Sequence, residues 1–195
     1  MCGRYYIEIG DEELEEIIRE AENKLKEYPG QISMKTSGEI FPTDIVPVQT
    51  GLRLYQPMKW GFSNYKGALV INARSETAYE KAMFRGSMLE RRCLIPASGY
   101  YEWQKKEGTK NKVKHQFFMP GETMFFAGCF RLEKDSLIPR FVILTRDASD
   151  EIAPIHDRMP VILPQSGAVS WLHGDMDVLA KAVTRLISVS RVSAP

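Results

Sequence analysis

Cys2 has the most distinctive chemistry of any residue in the sequence. A small residue after an initiator methionine permits removal of that methionine, which predicts a mature chain beginning with cysteine. Its α-amine, with a pKa of about 7.7–8, is partly neutral near pH 7. Such an amine condenses with an aldehyde to an imine, and the thiol on the adjacent carbon can then close a five-membered thiazolidine ring. The same thiol is also suited to attack an acyl carbon, as in a peptidase or amidotransferase.

Two further side chains are suited to proton transfer. Glu102 stands between Tyr101 and Trp103, where flanking aromatic rings predict partial desolvation and a raised carboxyl pKa. His156 follows Pro154 in a segment dense in proline and charge, and an imidazole there is able to move protons near neutral pH. Taken singly, each also fits an ordinary position, as an outward glutamate on an alternating strand and as a capping or surface histidine.

A polar cluster, Asn72-Ala73-Arg74-Ser75-Glu76, follows an apolar strand pattern. Functional side chains concentrate where strands end. Asn72 is suited to orient a terminal amine or thiol, and Arg74 is suited to hold a phosphate. An asparagine turn and an arginine–glutamate surface pair would explain the same residues.

The remaining cysteines, Cys93 and Cys129, lie within apolar strand patterns, which predicts core packing. Three cysteines without CxxC spacing argue against a disulfide framework and a structural zinc site. Glycine motifs for nucleotide phosphates are also missing from the sequence. We therefore expect no cofactor and no metal.

The elements that must position these residues predict an α+β fold. We expect a single domain over residues 1–195, with a curled, mostly antiparallel sheet or partial β-barrel flanked by helices. An apolar stripe from Leu14 to Leu25 predicts a helix capped by Asp11 and running to Tyr28. Residues 31–44 are expected to be irregular. Further helices are expected before Glu90 and at 149–155, 166–172 and 176–186, and strands at 3–8, 46–49, 52–62, 92–96, 100–104, 114–119, 124–130, 140–145, 161–163 and 187–192.

Charge is unevenly distributed although the formal net charge is only +1. Acidic residues outnumber basic ones nine to four in residues 1–30, and basic residues outnumber acidic ones nine to three in residues 81–115. A globally basic nucleic-acid binder is excluded, but a local basic surface suited to a polyanion is not. Two solvated faces would account for the same pattern. No apolar run approaches the roughly 20 residues of a membrane span and no signal peptide is recognisable, so we expect a cytoplasmic protein.

Several patches, taken in order, resemble the SRAP (SOS-response-associated peptidase) domain family. They are Met1-Cys2-Gly3-Arg4, Trp60-Gly61, Asn72-Ala73-Arg74-Ser75-Glu76, Arg92-Cys93-Leu94-Ile95-Pro96-Ala97 with Gly99-Tyr100-Tyr101-Glu102-Trp103, and Thr145 through Ala148 to His156-Asp157-Arg158-Met159-Pro160. The resemblance implies a sensor and shield of abasic sites in single-stranded DNA. It implies a lyase-like reaction in the DNA damage response that links the opened sugar aldehyde to the N-terminal cysteine as a thiazolidine.

The resemblance also implies roles for individual residues. Cys2 supplies amine and thiol, and Asn72 positions the terminal group and the sugar. Glu102 donates the proton that favours ring opening, and His156 assists imine formation and the reverse release step. The residues expected to contact DNA are Arg4, Arg74 and Arg158, at phosphates, and Trp60 and Pro42, at bases or backbone.

One stretch departs from the family pattern, which commonly has a proline and a second tryptophan after Trp-Gly. The residues that follow Trp60-Gly61 include neither. Phe62 or Tyr65 is therefore the candidate for the aromatic wedge between bases.

Two alternative functions stay open. A thiol peptidase would use Cys2 as nucleophile and His156 as base, and its most credible cleavage is the self-removal of Met1. A non-catalytic module for single-stranded DNA would need the arginines and Trp60 but not Cys2. For the abasic-site interpretation we expect a cytoplasmic monomer, nucleoid-associated when on DNA, with no membrane or metal partner.

Overall fold

The computed structural model describes residues 2–105, 108, 112–134, 136–184, 186 and 188–192. Within these residues, no helix is long and apolar enough to cross a membrane. The helices are α1 (Glu12–Leu25), α2 (Ala82–Glu90), α3 (Gln165–Leu172) and a 3₁₀ helix (Asp177–Lys181). The strands are β1 (Tyr5–Ile7), β2 (Gly38–Ile40), β3 (Ile45–Gly51), β4 (Leu54–Trp60), β5 (Phe62–Ser63), β6 (Leu69–Val70), β7 (Asn72–Arg74), β8 (Arg92–Ala97), β9 (Gly99–Lys105), β10 (Lys112–Phe118), β11 (Met124–Arg131), β12 (Arg140–Asp147), β13 (Arg158–Pro160), β14 (Ile162–Leu163) and β15 (Ser188–Val192).

The strands form a curled, mostly antiparallel sheet system, which confirms the predicted α+β class. One sheet has the order β15-β10-β9-β1-β2, and the larger one has the order β13-β12-β4-β3-β8-β11-β14. Because β11 also pairs with β12, the larger sheet closes into a ring of pairings. Its β3–β8 junction has a single register pair, Gln49 opposite Leu94, so the sheet is ring-like without being a barrel. β4 and β7 pair with β12 in the parallel sense.

The pairing of β1 places the N-terminal segment beside β9. Tyr5 lies opposite Tyr100 and Tyr6 opposite Gly99, and the Tyr101 amide donates to the Arg4 carbonyl at 2.9 Å. The register therefore brings residues 2–4 alongside residues 101–103. On another edge, β7 runs along β12, with Asn72 opposite Ile143. These two strand pairings bring the predicted N-terminal, Glu102 and Asn72 motifs into one region.

α1 confirms the helix expected from its apolar stripe. The Asp11 carboxylate caps it by accepting hydrogen bonds from the amides of Glu13 (2.9 Å) and Leu14 (3.1 Å), which otherwise have no partner within the first turn. Leu14 and Ile17 are buried on its inner face, where the helix packs against β3 and β4. The helix ends at Leu25, three residues before the predicted Tyr28.

The interior contains the two cysteines expected there. Cys93 and Cys129 are both fully buried, and burial raises the pKa of each thiol. Such thiols are poor nucleophiles because little thiolate forms. Cys2 is equally buried, and only its position in the sequence distinguishes it from these two cysteines.

The helix predicted at residues 149–155 is wrong. The segment forms turns, with single helical-type hydrogen bonds from the amide of Ala153 to Ser149 (2.8 Å) and from that of His156 to Ile152 (3.1 Å). Pro154 interrupts the segment, since it has no amide hydrogen to donate and restricts the residue before it. The chain turns here and delivers His156 to the loop before β13.

Two other predicted segments also differ. In place of a helix over residues 176–186 there is only the short 3₁₀ helix, because the chain is extended at Ala182 and the Val183 amide donates to the Ile162 carbonyl at 2.8 Å. Within residues 31–44, expected to be irregular, β2 pairs with β1. A three-residue edge strand before a proline gives little sequence signal.

Candidate active site

Cys2 is buried at the start of the chain that leads into β1. Its side chain is 0 % exposed, and its Sγ lies 3.9 Å from the Arg4 carbonyl oxygen. Its own carbonyl accepts a hydrogen bond of 2.9 Å from Asn72 Nδ2. Burial, together with the nearby Glu102 charge, raises the pKa of the Cys2 thiol. The thiol is therefore held in a fixed position and in its protonated form.

Glu102 lies on β9 with only 3 % of its surface exposed. Burial raises the pKa of its carboxyl, because an ionised carboxylate loses its hydration there. The sequence prediction of a desolvated glutamate is confirmed. A carboxyl of raised pKa keeps its proton at higher pH than an exposed glutamate, which suits a general acid.

His156 faces Glu102 across the site. Its Nε2 lies 3.8 Å from Glu102 Oε2. Its Nδ1 accepts the Arg158 amide at 3.0 Å, so the neutral ring carries its proton on Nε2, towards Glu102. Nδ1 is also 2.8 Å from the exposed carboxylate of Asp157. One ring nitrogen therefore faces Glu102, and the other is held by the Arg158 amide.

An open pocket of about 580 Å³ gives access to these groups. Glu102 and His156 line it together with Gly3, the neighbour of Cys2. At the wall of the pocket, the Gln104 side chain donates a hydrogen bond of 2.9 Å to the Pro154 carbonyl. This bond fixes the His156 loop against β9.

Several buried polar atoms around Cys2 have no hydrogen-bond partner among the described residues. They are Asn72 Oδ1 and the hydroxyls of Tyr5 and Tyr100. Burial raises the pKa of both phenols, and both rings belong to the same buried core cluster as Cys2. Unpaired buried polar groups are costly, and the site therefore offers several hydrogen bonds to a polar ligand.

Arg4 contacts Phe41, the residue before Pro42, and Trp103, which lines this pocket. Arg4 forms an ion pair of 3.0 Å with Glu39. Its guanidinium lies over the rings of Phe41, at 4.1 Å, and Trp103, at 4.9 Å. The sequence reasoning missed this cation–aromatic cluster. The position of Trp103 directly after Glu102 on β9 could have indicated an aromatic side chain near the site. Phe41, by contrast, contacts Arg4 only because β1 pairs with β2.

Trp60 requires a correction, because the structure places it in the core and away from any DNA-facing surface. Its side chain is 0 % exposed, it stacks on Phe141, and its Nε1 donates to the Ile71 carbonyl at 3.0 Å. Phe62, one of the two candidate wedges, is buried as well. Tyr65, in the turn between β5 and β6, is 90 % exposed and is the aromatic side chain there with room to meet a base.

Arg158 also requires a correction. It is 6 % exposed, and its guanidinium binds both carboxylate oxygens of Glu76 (2.9 Å each), the Thr145 carbonyl (2.7 Å) and Asp147. Through these hydrogen bonds the guanidinium connects β12, β13 and the segment after β7. It is therefore not available to bind a phosphate. Arg74, by contrast, is exposed and is free for such a contact.

We expect Arg158→Lys to lower the free energy of unfolding by about 1–3 kcal/mol, since a lysine cannot reach all three acceptors at once. The hydrogen bond from Arg158 lowers the pKa of Glu76. This stabilisation is therefore present above the ordinary glutamate pKa and is lost as the pH falls through the lowered value. Chemical denaturation measures it, with exposed Arg74→Lys as a control within about 0.5 kcal/mol of wild type. Unchanged stability of Arg158→Lys would show that the cluster is not structural.

The fold and the site define an α+β protein with a buried thiol, a buried carboxyl of raised pKa and an imidazole, the last two lining one open pocket. The chain belongs to the SOS response associated peptidase (SRAP) family, whose model matches residues 1–193. It is 35 % identical over 120 residues to the abasic site processing protein YoaM of Bacillus subtilis, covering 58 % of this chain and 52 % of that protein. To the abasic site processing protein YMR114C of Saccharomyces cerevisiae it is 29 % identical over 205 residues, covering 88 % and 54 %.

The chain spans about half the length of the curated relatives it matches. A phage-related protein of Bordetella bronchiseptica, known from a crystal structure, has a similar fold, with a TM-score of 0.76 at 22 % identity over 99 % of this chain and 95 % of that one. At that identity the likeness shows the fold alone.

Proposed function

We propose that this protein recognises abasic sites in single-stranded DNA and captures the sugar aldehyde covalently through Cys2, once Met1 has been removed. The supporting observations are that Asn72 donates a hydrogen bond to the Cys2 carbonyl at 2.9 Å, and that Glu102 and His156, 3.8 Å apart, line an open pocket together with Gly3, the neighbour of Cys2. Family membership and the abasic site processing names of its relatives agree with this proposal.

The first step opens the sugar. An abasic deoxyribose is mostly a closed hemiacetal, and its aldehyde appears only when the bond between C1′ and the ring oxygen breaks. The Glu102 carboxyl donates its proton to that ring oxygen, while the C1′ hydroxyl loses a proton to water and becomes the aldehyde oxygen. Because the pKa of Glu102 is raised, the donor keeps its proton to higher pH than an exposed glutamate would.

The second step forms the crosslink. The neutral α-amine of Cys2 adds to the aldehyde carbon, and His156 moves protons so that the hydroxyl of the adduct departs as water and an imine remains. The Cys2 sulfur then bonds to the imine carbon, and the thiol proton ends on the nitrogen. The net change is loss of one water. Asn72 assists by holding the Cys2 carbonyl at 2.9 Å, which leaves its Oδ1 for the α-amine.

The neighbouring surface supplies contacts for the strand. Arg4, Phe41 and Trp103 combine positive charge with aromatic rings, and Pro42 adjoins them. Proteins that bind single-stranded nucleic acid without sequence preference use this combination. Tyr65 takes the place of the expected wedge. Trp60 and Arg158 support the fold instead.

We expect Arg74→Ala to weaken binding to abasic single-stranded DNA and to reduce the slope of log affinity against log salt by about 0.7, the value for one contact with a single strand. A salt series of binding isotherms measures the slope. Arg19→Ala, on the exposed face of α1, removes the same charge and is expected to leave it unchanged. An unaltered slope for Arg74→Ala would exclude a phosphate contact there.

The experiment that tests the proposal is a denaturing gel. Wild-type protein is incubated with an abasic single strand and with the same strand carrying an intact base. We expect a band of protein bound to DNA with the first and none with the second. If intact DNA gives the same band, or abasic DNA gives none, the proposal fails.

The thiol peptidase alternative has less support. A cysteine peptidase needs a thiolate, whereas burial raises the pKa of the Cys2 thiol in this structure. Closure of the thiazolidine ring depends less on an ionised thiol, because the neutral thiol stands next to the imine carbon that it attacks. The non-catalytic module differs in one prediction, because it would bind abasic DNA equally well without forming a band.

A further inference from the structure

Two lysines stand at the rim of the pocket. Lys105 at the end of β9 and Lys112 at the start of β10 are exposed, and both line the pocket together with Glu102 and His156. They lie directly opposite each other in the β9–β10 register. The rim thus carries two adjacent lysines, and Lys105 is three residues, or roughly 10 Å along the strand backbone, from Glu102.

This arrangement is unfavourable for the fold by itself. Like charges directly opposite each other on paired strands destabilise the pair. The ion pairs among the described residues include neither Lys105 nor Lys112. The exposed carboxylate on the same rim, Asp157, is 2.8 Å from His156 Nδ1. Within the part of the chain that the structure describes, the two lysines therefore present positive charge without an ion-pair partner to whatever enters the pocket.

We propose that Lys105 and Lys112 form a phosphate clamp, which holds a backbone phosphate beside the abasic sugar and leads the strand out along the β9–β10 hairpin. The inference rests on the proposed function, because it takes the occupant to be single-stranded DNA. A phosphate between two lysines relieves their repulsion and gains two charge-assisted contacts. Since the clamp carries no base contact, it serves every sequence around the lesion equally.

A first test measures binding of a single strand that carries a tetrahydrofuran residue, an abasic analogue without an aldehyde. We expect Lys105→Gln/Lys112→Gln to bind more weakly and to lower the salt slope by about 1.4, for two lost contacts with a single strand. Lys24→Gln/Lys26→Gln, on acidic α1 and its C-cap, removes the same charge and is expected to leave the slope unchanged. Equal slopes for wild type and the Lys105/Lys112 variant would overturn the clamp.

A second test identifies the backbone phosphate that the two lysines bind. Each linkage flanking the tetrahydrofuran is replaced in turn by an uncharged methylphosphonate. We expect one replacement to weaken binding by wild type but not by Lys105→Gln/Lys112→Gln, because the partner of that phosphate is already missing. Replacements that weaken binding by both proteins alike would show that the lysines act only through general charge, and would contradict the clamp.

A single variant separates this role from stability. Lys112→Glu converts the repulsive pair opposite Lys105 into an attractive one, so we expect an equal or higher Tm together with weaker binding. A lower Tm with unchanged binding would assign the lysines to the fold. All three measurements use an aldehyde-free probe. Loss of crosslinking by wild type would therefore refute the proposed reaction without deciding the clamp, and unchanged binding by the variants would refute the clamp alone.

Discussion

We expect Cys2→Ala and Cys2→Ser both to abolish the stable adduct with abasic single-stranded DNA and to leave only a reversible imine. Alanine at the N-terminus still has an α-amine, and an imine can form, but no thiol is present to close the ring. An imine hydrolyses, so neither variant gives a band that survives heating on a denaturing gel. Treatment with borohydride, which reduces an imine to a stable amine, restores a band for both variants.

Cys93→Ala and Cys129→Ala are the matched controls. Both remove a buried thiol that does not line the pocket. Any loss of stability they cause is visible by thermal unfolding, and we expect the folded fraction to retain crosslinking. A heat-stable, unreduced adduct formed by Cys2→Ala would refute the thiazolidine and assign the linkage to another group.

Glu102→Gln is expected to slow crosslinking by about 10²-fold or more, the usual contribution of a positioned general acid. The amide keeps the shape of the side chain and its hydrogen-bonding capacity but cannot donate an acidic proton. For wild type, the rate of ring opening falls as the pH rises through the raised pKa of Glu102. For Glu102→Gln, we expect no such fall of the rate with pH. Stopped time courses on denaturing gels across a pH series measure both effects.

The same substitution is expected to increase stability although it lowers the crosslinking rate, and this difference serves as the control. A carboxyl whose pKa is raised in the folded state contributes stability below its ordinary pKa, and loses it as the pH rises through the folded value. Glutamine has no charge to bury, so the free energy of unfolding of Glu102→Gln relative to wild type increases with pH. A variant that is destabilised at neutral pH, or one that crosslinks at the wild-type rate, would leave Glu102 as a structural residue only.

The four residues of the proposed site could be predicted from the sequence because the chemistry that each side chain is suited to depends on local context. Cys2 is distinguished by its position in the chain, and the aromatic neighbours of Glu102 indicate its desolvation. Asn72 and His156 stand in short polar segments next to apolar ones or to prolines. For each of these the surroundings within a few residues carry most of the information, and the structure brings all four to one place.

The sequence predictions were wrong where contacts between residues distant in the chain determine the surroundings of a side chain. Trp60 is an aromatic residue in a motif, and its burial depends on Phe141 and Ile71 from distant strands. Arg158 was predicted to be a phosphate ligand, yet Glu76, far earlier in the chain, neutralises it. The Phe41–Arg4 contact likewise exists only through strand pairing. Residue type predicted what each side chain is able to bind, and tertiary packing determined which partner it has.

The central claim is that the sugar is joined to the amine and the thiol of an N-terminal Cys2. Mass spectrometry of the purified adduct, intact and after proteolysis, tests it most directly. The account predicts a chain without Met1, linked to the abasic strand with loss of one water, and a modified N-terminal peptide that borohydride does not change. An adduct that retains Met1, or one in which the DNA is attached to a lysine, would contradict it.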